Sequence, residues 1–334
     1  MPETIRPRGE SGLPSTVDGT IVTVGTFDGV HLGHIDVIRR LVERARDVGC
    51  PSLVLSFDPH PLEVVNPAAA PLLLTTTEEK LEVIAETGAD YFAIMPFTHD
   101  LATYGAEDFV ELVLRRRFRM RELLIGHDHG FGHRRAGNVN VLKDLGARDG
   151  FTVDVVEAVS ATDGQQVSST SIRRAVAGGD LDRAALGLGR RYSVSGTVVA
   201  GNSRGVQLGF ATINLSTPSP RKLLPPEGVY AVVAQTPAGQ FGGMMNLGPR
   251  PTFGETELSV EAHLFDVTRD FYGNRVRIDF VSFLRETRKF GSAAELVSQL
   301  KVDRENAQIA LTPLTRAVNL KGSSGTAHFT PSVA

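Results

Sequence analysis

The chain has one cysteine, Cys50, among its 334 residues. A single cysteine excludes an intramolecular disulfide and a metal site built from several thiolates, and it fits a reducing compartment. Long apolar runs are also missing. None approaches the roughly 18 residues of a membrane span, and the opening MPETIRPRGESG has no apolar core of signal-peptide length. We therefore expect a cytoplasmic protein without a membrane partner.

The chain also lacks a surplus of basic residues, because its formal net charge is −3. Binding to a nucleic-acid backbone normally requires many clustered lysines and arginines, so we do not expect a nucleic-acid partner. Apolar residues make up 41% of the chain and charged residues 22%, which is ordinary for a globular protein. The length exceeds that of one typical domain and predicts two.

Short apolar runs alternate with amphipathic stretches between Thr20 and about Leu188. The runs are Ile21 to Val24, Leu53 to Phe57, Tyr91 to Phe97, Leu123 to Gly126 and Thr152 to Val156. Nearly continuous apolar strands separated by helices predict a Rossmann-like parallel sheet covered on both faces. Ligands of such sheets bind at the carboxyl ends of the strands.

The intervening stretches have helical spacing. Apolar side chains recur three and four residues apart in three groups, namely Ile38, Leu41, Val42 and Ala45 before Gly49; Leu81, Ile84 and Ala85 before Gly88; and Phe109, Leu112 and Val113 in a basic-ended helix reaching Arg121. Two short helices are expected around 171–177 and 181–186.

From Gly189 onward the pattern changes to β-type runs separated by turn residues. The runs are Tyr192 to Val199, Gly228 to Ala234, Phe241 to Asn246, Leu258 to Phe265 and Arg275 to Phe283. They favour an antiparallel sheet or small barrel. One helix closes the domain, with Ser292 and Glu295 as a capping box. Its buried face is expected to contain Leu296, Leu300, Ala307 and Leu311. The predicted domains are 1–188 and 189–312, followed by a flexible tail at 313–334.

The stretch VGTFDGVHLGH, residues 24–34, combines glycines, a carboxylate and two histidines at a strand end. A helix is expected to begin near Gly33, and His31 and His34, three residues apart, fall on one face of the turn that enters it. A helix N-terminus offers unpaired N–H groups and partial positive charge, and imidazoles add donors toward charge that develops in phosphoryl transfer. The stretch predicts an anion site.

Two alternatives to this interpretation stay open. The glycines can serve only a tight turn, with the histidines capping the helix. The histidines can also be zinc ligands, although a convincing third ligand is missing because His60 lies at another strand end.

Three further strand ends carry polar groups: SFDPHP at 56–61, IGHDHGFGHRRAGN at 125–138 and VSSTSIRRA at 167–175. Each alone is ordinary loop chemistry, and Ser169 or Thr170 can be a plain N-cap. All four stretches fall at the same edge of the predicted sheet, which suggests one site.

Four motifs, GTFDGVHLGH, FDPHP, GHDHGFGxxRxG and SSTSIR, resemble those of the adenylyltransferase module of bacterial bifunctional riboflavin kinase/FAD synthetases, in the HxGH-type nucleotidyltransferase superfamily. The resemblance covers roughly 20–186. It implies that the phosphate of FMN attacks the α-phosphorus of ATP, releasing pyrophosphate and forming FAD.

The resemblance also implies the roles of individual residues. Catalysis would involve His31, His34 and Arg173, usually with Mg²⁺ and with ATP as co-substrate. ATP would contact Gly25, Phe27, Asp28, His31, His34, Asp128, Ser169 and Arg173. The flavin would contact Asp58, Pro59, His60, Phe131 and Arg135. One position departs from the pattern, since many members have an aromatic residue where this chain has His129.

The stretch GTVVAGNSRGVQLGFATINL, residues 196–215, spaces Gly201, Gly205 and Gly209 four apart and places Thr212 and Asn214 two apart. A glycine-rich loop can bring backbone N–H groups close to phosphate. Two oxygen-bearing side chains two apart in a strand share a face and suit a hard cation. No Walker lysine follows, and a mobile hairpin connection is the alternative.

The stretch LSVEAHLFD places Glu261 and His263 on one strand face and Val260, Ala262 and Leu264 on the other. Glu261 is then a candidate general base for a hydroxyl. The alternative is a half-exposed strand with a polar outer face.

The second half of the chain, over about 190–311, resembles the riboflavin kinase module of the same family. The resemblance rests on GTVVAGNSRGVQLGFATINL and SVEAH together with GVYA, NLGPRPTF and FYGNRVRIDFVSFLR. The resemblance implies that Thr212 and Asn214 coordinate Mg²⁺-ATP, that the loop from Gly201 to Gly209 covers phosphate, and that Glu261 accepts the proton of the ribityl 5′-hydroxyl. It also assigns Arg285 to the flavin. Three positions depart from the pattern: Ala211 and Ile213 replace Pro and Ala, and Thr287 replaces Glu.

The expected function is FAD biosynthesis from riboflavin and ATP through FMN, by an enzyme of open oligomeric state. Three alternatives remain: an enzyme whose kinase module has decayed, a non-catalytic flavin or nucleotide-binding regulator, and a nucleic-acid-modifying transferase of the same superfamily.

Overall fold

A computed structural model of the chain describes residues 2–5, 12–126, 138–157, 166–201, 210–216, 219–251, 256–267 and 269–321. The chain divides into two compact units, Met1–Ser169 and Thr170–Ala334. In the described ranges, none of the helices has the length and apolar composition that crossing a bilayer requires.

The first unit contains a sheet with helices on both faces. Its strands are β1 (Glu3–Ile5), β2 (Thr20–Val24), β3 (Ser52–Asp58), β4 (Tyr91–Pro96), β5 (Met120–Gly126) and β6 (Thr152–Val156). Its helices are α1 (Leu32–Val48), α2 (Pro61–Val65), α3 (Thr77–Ala85), α4 (His99–Thr103), α5 (Ala106–Asp108) and α6 (Val139–Asp149), with a 3-10 turn at Pro67–Ala69 and a π-helical segment at Phe109–Arg115.

The six strands are parallel in the order β1-β4-β3-β2-β5-β6. The predicted parallel sheet is therefore confirmed. Alternate strand residues enter two separate apolar cores, one beneath α1 and α3 and the other beneath α5, the π-helical segment and α6. The strand order reverses between β2 and β5, and open α/β sheets bind ligands at the carboxyl ends of strands beside such a reversal.

The predicted stripe of α1 is buried, and Gly49 ends the helix in the left-handed conformation with φ of 66°. The prediction of a helix reaching Arg121 is wrong. Arg121 lies in β5, and Arg119 has φ of 49°, which a helix does not allow. The reason is that Met120 pairs with Thr20 in the sheet, so this segment is a strand and cannot continue the helix. Leu112 is accordingly exposed.

The second unit is a barrel with helices before and after it. Helix α7 (Ser169–Ala177) spans the division between the units, and the elements that follow are α8 (Leu181–Leu188), β7 (Ser193–Val199), β8 (Ile213–Leu215), β9 (Gly228–Thr236), β10 (Gly239–Pro251), β11 (Thr256–Leu264), β12 (Arg275–Arg285) and α9 (Ala293–Lys321). The strands close in the order β10-β11-β8-β7-β12-β9, with every pair antiparallel. The predicted barrel with a C-terminal helix is confirmed.

Helix α9 packs on the barrel through Ala307 and Leu311, which are buried as predicted. Its N-terminus is capped by Ser292 Oγ, which accepts a hydrogen bond from Glu295 N at 3.2 Å. The helix continues through Pro313 to Lys321. The domain bounds at 188 and 312 stay predictions.

Candidate active sites

The loop after β2 turns the chain sharply into α1. Phe27, Gly29 and Val30 have positive φ of 46°, 81° and 40°. Both Phe27 and Val30 are buried in the core beneath α1, and their packing maintains a backbone that non-glycine residues rarely adopt. The tight turn brings the N-terminus of α1 to the carboxyl edge of β2.

The imidazoles of His31 and His34 are stacked at this helix start, with centroids 3.6 Å apart and ring planes at 17°. His34 also packs against the Phe27 ring at 5.1 Å. Gly33 permits the stack, since a Cβ there would lie 3.2 Å from the His31 ring. The predicted juxtaposition of the two histidines is confirmed.

His31 also caps α1, because its Nδ1 accepts a hydrogen bond from His34 N at 3.3 Å. The alternative that the histidines cap the helix therefore accounts for Nδ1 of His31 but leaves Nε2 for another role. A neutral imidazole that accepts at Nδ1 carries its proton on Nε2. Capping thus fixes the tautomer that presents Nε2–H as a donor.

Asp28 is 1% exposed, and its carboxylate accepts hydrogen bonds from Leu74 N and Thr75 N, each at 3.0 Å. Thr75 Oγ1 in turn accepts from Gly29 N at 2.9 Å. These contacts clamp the β2–α1 loop to residues 74–75. They make Asp28 a residue that positions the loop, and its ATP contact stays a prediction.

Lys80 of α3 contacts the start of the same loop. It was not among the residues predicted from the sequence. Its Nζ donates to Thr26 O at 2.6 Å and to Ser56 Oγ at 3.0 Å. Burial lowers the pKa of Lys80 to about 8, against the opposing influence of Asp28 and Asp58. The signal in the sequence was a lysine one turn before Ile84, on the buried face of α3.

Ser169 joins the start of α7 to this loop, since its Oγ donates to Asp28 O at 3.0 Å. Ser56 Oγ of the stretch at 56–61 also donates to Thr26 O at 3.1 Å, so three of the four predicted strand-end stretches meet. Arg173 lies one turn further along α7. Its role, and those of Gly25 and Ser169 toward ATP, stay predictions.

Asp58 and Pro59 are exposed at the end of β3 and are joined by a cis peptide bond. His60 caps α2 through Nδ1, which accepts from Leu62 N at 3.2 Å, while Glu63 accepts from His60 N. Across the described ranges no three His, Cys, Asp or Glu side chains gather as a metal site requires. The predicted residues Asp128, Phe131 and Arg135, and also His129, lie outside those ranges.

The second candidate site lies in the barrel, where β8 pairs with β11. Thr212 Oγ1 donates to Glu261 Oε1 at 2.6 Å. Asn214 lies directly opposite Glu261 in the strand register. The structure thus brings together the predicted cation ligands, Thr212 and Asn214, and the predicted base, Glu261. Predicted burial of Val260, Ala262 and Leu264 on the other face is confirmed.

Gly201 lies two residues after β7 and leaves space for the side chain of Asn214. A Cβ at this position would lie 2.1 Å from Asn214 Nδ2, so a larger residue would displace the amide. Gly205 and Gly209 of the same predicted loop lie outside the described residues.

His263 supports the segment that precedes Thr212. Its Nδ1 is 2.7 Å from Ala211 O, and because a carbonyl only accepts, this nitrogen carries the proton. The ring packs edge-on against Phe210 and Phe265. Burial lowers the pKa of His263. The backbone beside Thr212 is therefore held from β11.

Arg285 forms a bidentate pair with the buried carboxylate of Asp303, at 2.8 and 2.7 Å. Gln299 donates to the same carboxylate at 2.7 Å, and Arg285 also donates to Glu286 O. These bonds connect the end of β12 to α9. The predicted flavin contact of Arg285 stays a prediction.

Comparison with known proteins finds two family models along the chain: FAD synthetase over residues 13–171 and Riboflavin kinase over residues 188–311. A bifunctional riboflavin kinase/FMN adenylyltransferase of Haemophilus influenzae is 35% identical over 302 residues, which cover 90% of this chain and 97% of that protein. The chain belongs to the bifunctional riboflavin kinase/FMN adenylyltransferase family. The predicted family and the order of its two modules are confirmed.

Other members of the bifunctional riboflavin kinase/FMN adenylyltransferase family agree. The protein of that name from Escherichia coli K12 is 35% identical over 292 residues, covering 87% of this chain and 92% of its own. A crystal structure described as a macrolide-efflux protein from Streptococcus pneumoniae is 28% identical, with a TM-score of 0.78 over 91% of this chain and 98% of its own. The fold of each unit of this chain therefore has a counterpart in that crystal structure.

Proposed function

We propose that the barrel phosphorylates riboflavin to FMN and that the parallel-sheet unit converts FMN to FAD, with ATP as co-substrate in both reactions. Family membership supports the two reactions, and the two sites support their assignment to separate units. The proposed place of action is the cytoplasm, where a reducing environment suits a chain with one cysteine.

In adenylyl transfer, an oxygen of the FMN phosphate attacks the α-phosphorus of ATP, and the bond to pyrophosphate breaks. The attacking group is already a nucleophile, so the protein needs only to align the phosphates and neutralise charge. His31 and His34 would do so at the N-terminus of α1, where N–H groups add positive potential. Capping at Nδ1 leaves Nε2–H of His31 as the donor, which would bind a phosphate oxygen. Ser169 and Arg173 would grip the triphosphate, and Asp58, Pro59 and His60 would border the flavin.

In the kinase reaction, Glu261 would take the proton of the ribityl 5′-hydroxyl as that oxygen attacks the γ-phosphorus and ADP leaves. Oε1 already accepts from Thr212, so Oε2 is the oxygen assigned to the substrate. The short bond from Thr212 is the observation that carries the kinase proposal. It joins the proposed base to Thr212, one of the residues proposed to hold the nucleotide.

Thr212 and Asn214 fit Mg²⁺, because hydroxyl and amide oxygens are the hard donors that this ion prefers. Thr212 donates a hydrogen bond to Glu261, and its oxygen keeps lone pairs for a cation. When bound, Mg²⁺ would neutralise charge on the ATP phosphates.

A time course with riboflavin and ATP tests the proposal, with FMN, FAD, ADP and pyrophosphate measured separately. Wild type should form FMN first and FAD next. Glu261→Gln, which retains an oxygen that can accept from Thr212, should abolish ADP release yet leave FAD formation from supplied FMN. His31→Ala should do the reverse.

Equal loss of both reactions in either variant would contradict the separate sites. Nucleotide binding without ADP or pyrophosphate release from wild type would favour the regulator. Pyrophosphate release from supplied FMN, together with no ADP release from riboflavin, would favour a decayed kinase.

A further inference from the structure

We infer that Lys80 is a positioning residue for adenylyl transfer, which holds the loop carrying His31 and His34 through the carbonyl of Thr26. The inference rests on the proposed function of the parallel-sheet unit and deepens it. Lys80 belongs to none of the motifs from which the site was predicted.

Lys80 is 7% exposed and lies on the buried face of α3 with Val83 and Ile84. Lysine is almost never buried so deeply unless it is partnered, because desolvation of an ammonium is costly. A methionine would occupy similar space without that cost. Stability alone therefore does not account for an ammonium at this position.

The partners of the ammonium form a closed triangle at the carboxyl ends of β2 and β3. Nζ lies 2.6 Å from Thr26 O and 3.0 Å from Ser56 Oγ, and Ser56 Oγ donates to Thr26 O at 3.1 Å. Thr26 O thus accepts two hydrogen bonds. Its peptide plane is thereby fixed immediately before Phe27, where φ becomes positive.

A short series of contacts leads from this peptide to the imidazoles. Phe27 follows Thr26 directly, its ring packs edge-on against His34 at 5.1 Å, and His34 stacks on His31 at 3.6 Å. A displacement of about 1 Å in a reacting group can lower a rate about 100-fold. Loss of the ammonium should therefore act on the histidine pair without touching it.

The charge of Lys80 lies within reach of two acidic side chains. The acidic groups that act on it are Asp28 from the β2–α1 loop and Asp58 from the end of β3. On its own helix, Glu79 accepts from Thr76 N. Burial outweighs the two aspartates, so the ammonium titrates near pH 8.

Lys80→Met tests the inference, since it removes the donors and retains the length of the side chain. We expect kcat for FAD formation from FMN to fall about 10- to 100-fold, with a smaller change in KM for ATP. FMN formation from riboflavin should keep its rate. Lys80→Arg should recover part of the loss, and Lys143→Met, at an exposed position of α6, should match wild type.

A pH profile separates positioning from a merely structural role. In wild type, FAD formation should fall as the pH rises through about 8, where Lys80 loses its proton. That alkaline decrease should be absent from Lys80→Met. An undiminished rate in Lys80→Met, an equal loss of both reactions, or an unchanged alkaline decrease would each overturn the inference.

Should Lys80→Met fail to fold, Ser56→Ala decides the matter, because it removes one partner of the ammonium without leaving a new charge. FAD formation should then fall at least about threefold, as expected for one lost hydrogen bond, while FMN formation is retained. Full FAD formation in Ser56→Ala would overturn the inference. Wild type that forms no FAD would instead refute the proposed function.

Discussion

Thr212 combines two tasks in one hydroxyl group. It donates to Glu261 at 2.6 Å, and its oxygen is proposed as a cation ligand. Thr212, Asn214 and Glu261 could be predicted from the sequence because residues two apart in an extended segment share a face. This alternation depends only on the local chain and not on distant contacts. Ala211, in place of the proline expected from the family, leaves the juxtaposition of Thr212 and Glu261 intact.

Replacing Thr212 with valine should lower kcat/KM of FMN formation about 100-fold and raise the Mg²⁺ concentration needed for half-maximal rate, since a ligand and the bond to Glu261 are both lost. Thr212→Ser keeps the hydroxyl and is the matched control. ADP release measured across a Mg²⁺ series checks this. An unchanged Mg²⁺ requirement in Thr212→Val would remove Thr212 from the proposed ligands.

Asp28 and Lys80 mark the limit of what the local sequence predicts. The partners of Asp28 are Leu74 and Thr75, which follow 46 and 47 residues later. Local spacing does not encode such a contact. For Lys80 the helix was predicted, but its face was misplaced, because 80, 83 and 84 have the same helical spacing as the chosen 81, 84 and 85.

Among the helices and strands, those with a recurring apolar pattern were predictable, including the short helices α7 and α8, and elements without such a pattern were not. The apolar runs of β2, β3 and β4 are nearly continuous, as expected for strands of a sheet buried on both faces. β1 has three residues and little apolar character, so it escaped prediction. The predicted helix to Arg121 failed because sheet pairing at Met120 overrides local helical spacing.

The pair of Arg285 with the buried carboxylate of Asp303 joins α9 to the end of β12, in addition to the apolar packing of Ala307 and Leu311. Asp303→Asn would leave the partly exposed guanidinium of Arg285 without its charge partner and would remove the buried carboxylate that it pairs with, so we expect the free energy of unfolding of the barrel to fall by about 3 kcal/mol. Asp266→Asn is the control. It breaks the more exposed pair with Arg304 and should cost less than about 1 kcal/mol.

Urea titration of both variants, followed by far-UV circular dichroism, measures the difference. Equal midpoints for Asp303→Asn and wild type would show that the pair does not hold α9. A large loss in Asp266→Asn would show that the method does not distinguish the two sites.

The two units join two phosphoryl chemistries in one chain. In the proposed reactions, imidazoles and helix N–H groups of the first would surround an α-phosphorus, and hydroxyl, amide and carboxylate oxygens of the second would surround a γ-phosphorus. The product of the barrel, FMN, is the substrate of the parallel-sheet unit. The order of these modules was predictable because each unit carries its own motifs within its own pattern of periodicity.

Deprotonation of Lys80 at alkaline pH should change the stability of the protein and the rate of FAD formation in opposite directions. Its pKa is about 8 when folded and 10.5 in the unfolded reference, so between these values the unfolded chain binds more protons. Stability then rises with pH, because deprotonation relieves the desolvation of a buried ammonium. From pH 8 to 10.5, the free energy of unfolding of wild type relative to Lys80→Met should rise by up to about 3 kcal/mol.

Over the same range FAD formation should decrease, so the alkaline loss of activity would not result from unfolding. Denaturant titrations at several pH values, with Lys143→Met as the exposed control, measure the relative stability. A relative stability that falls together with activity would show that the ammonium serves the fold. A relative stability that rises while activity falls would show that this lysine is retained for the reaction at the expense of the fold.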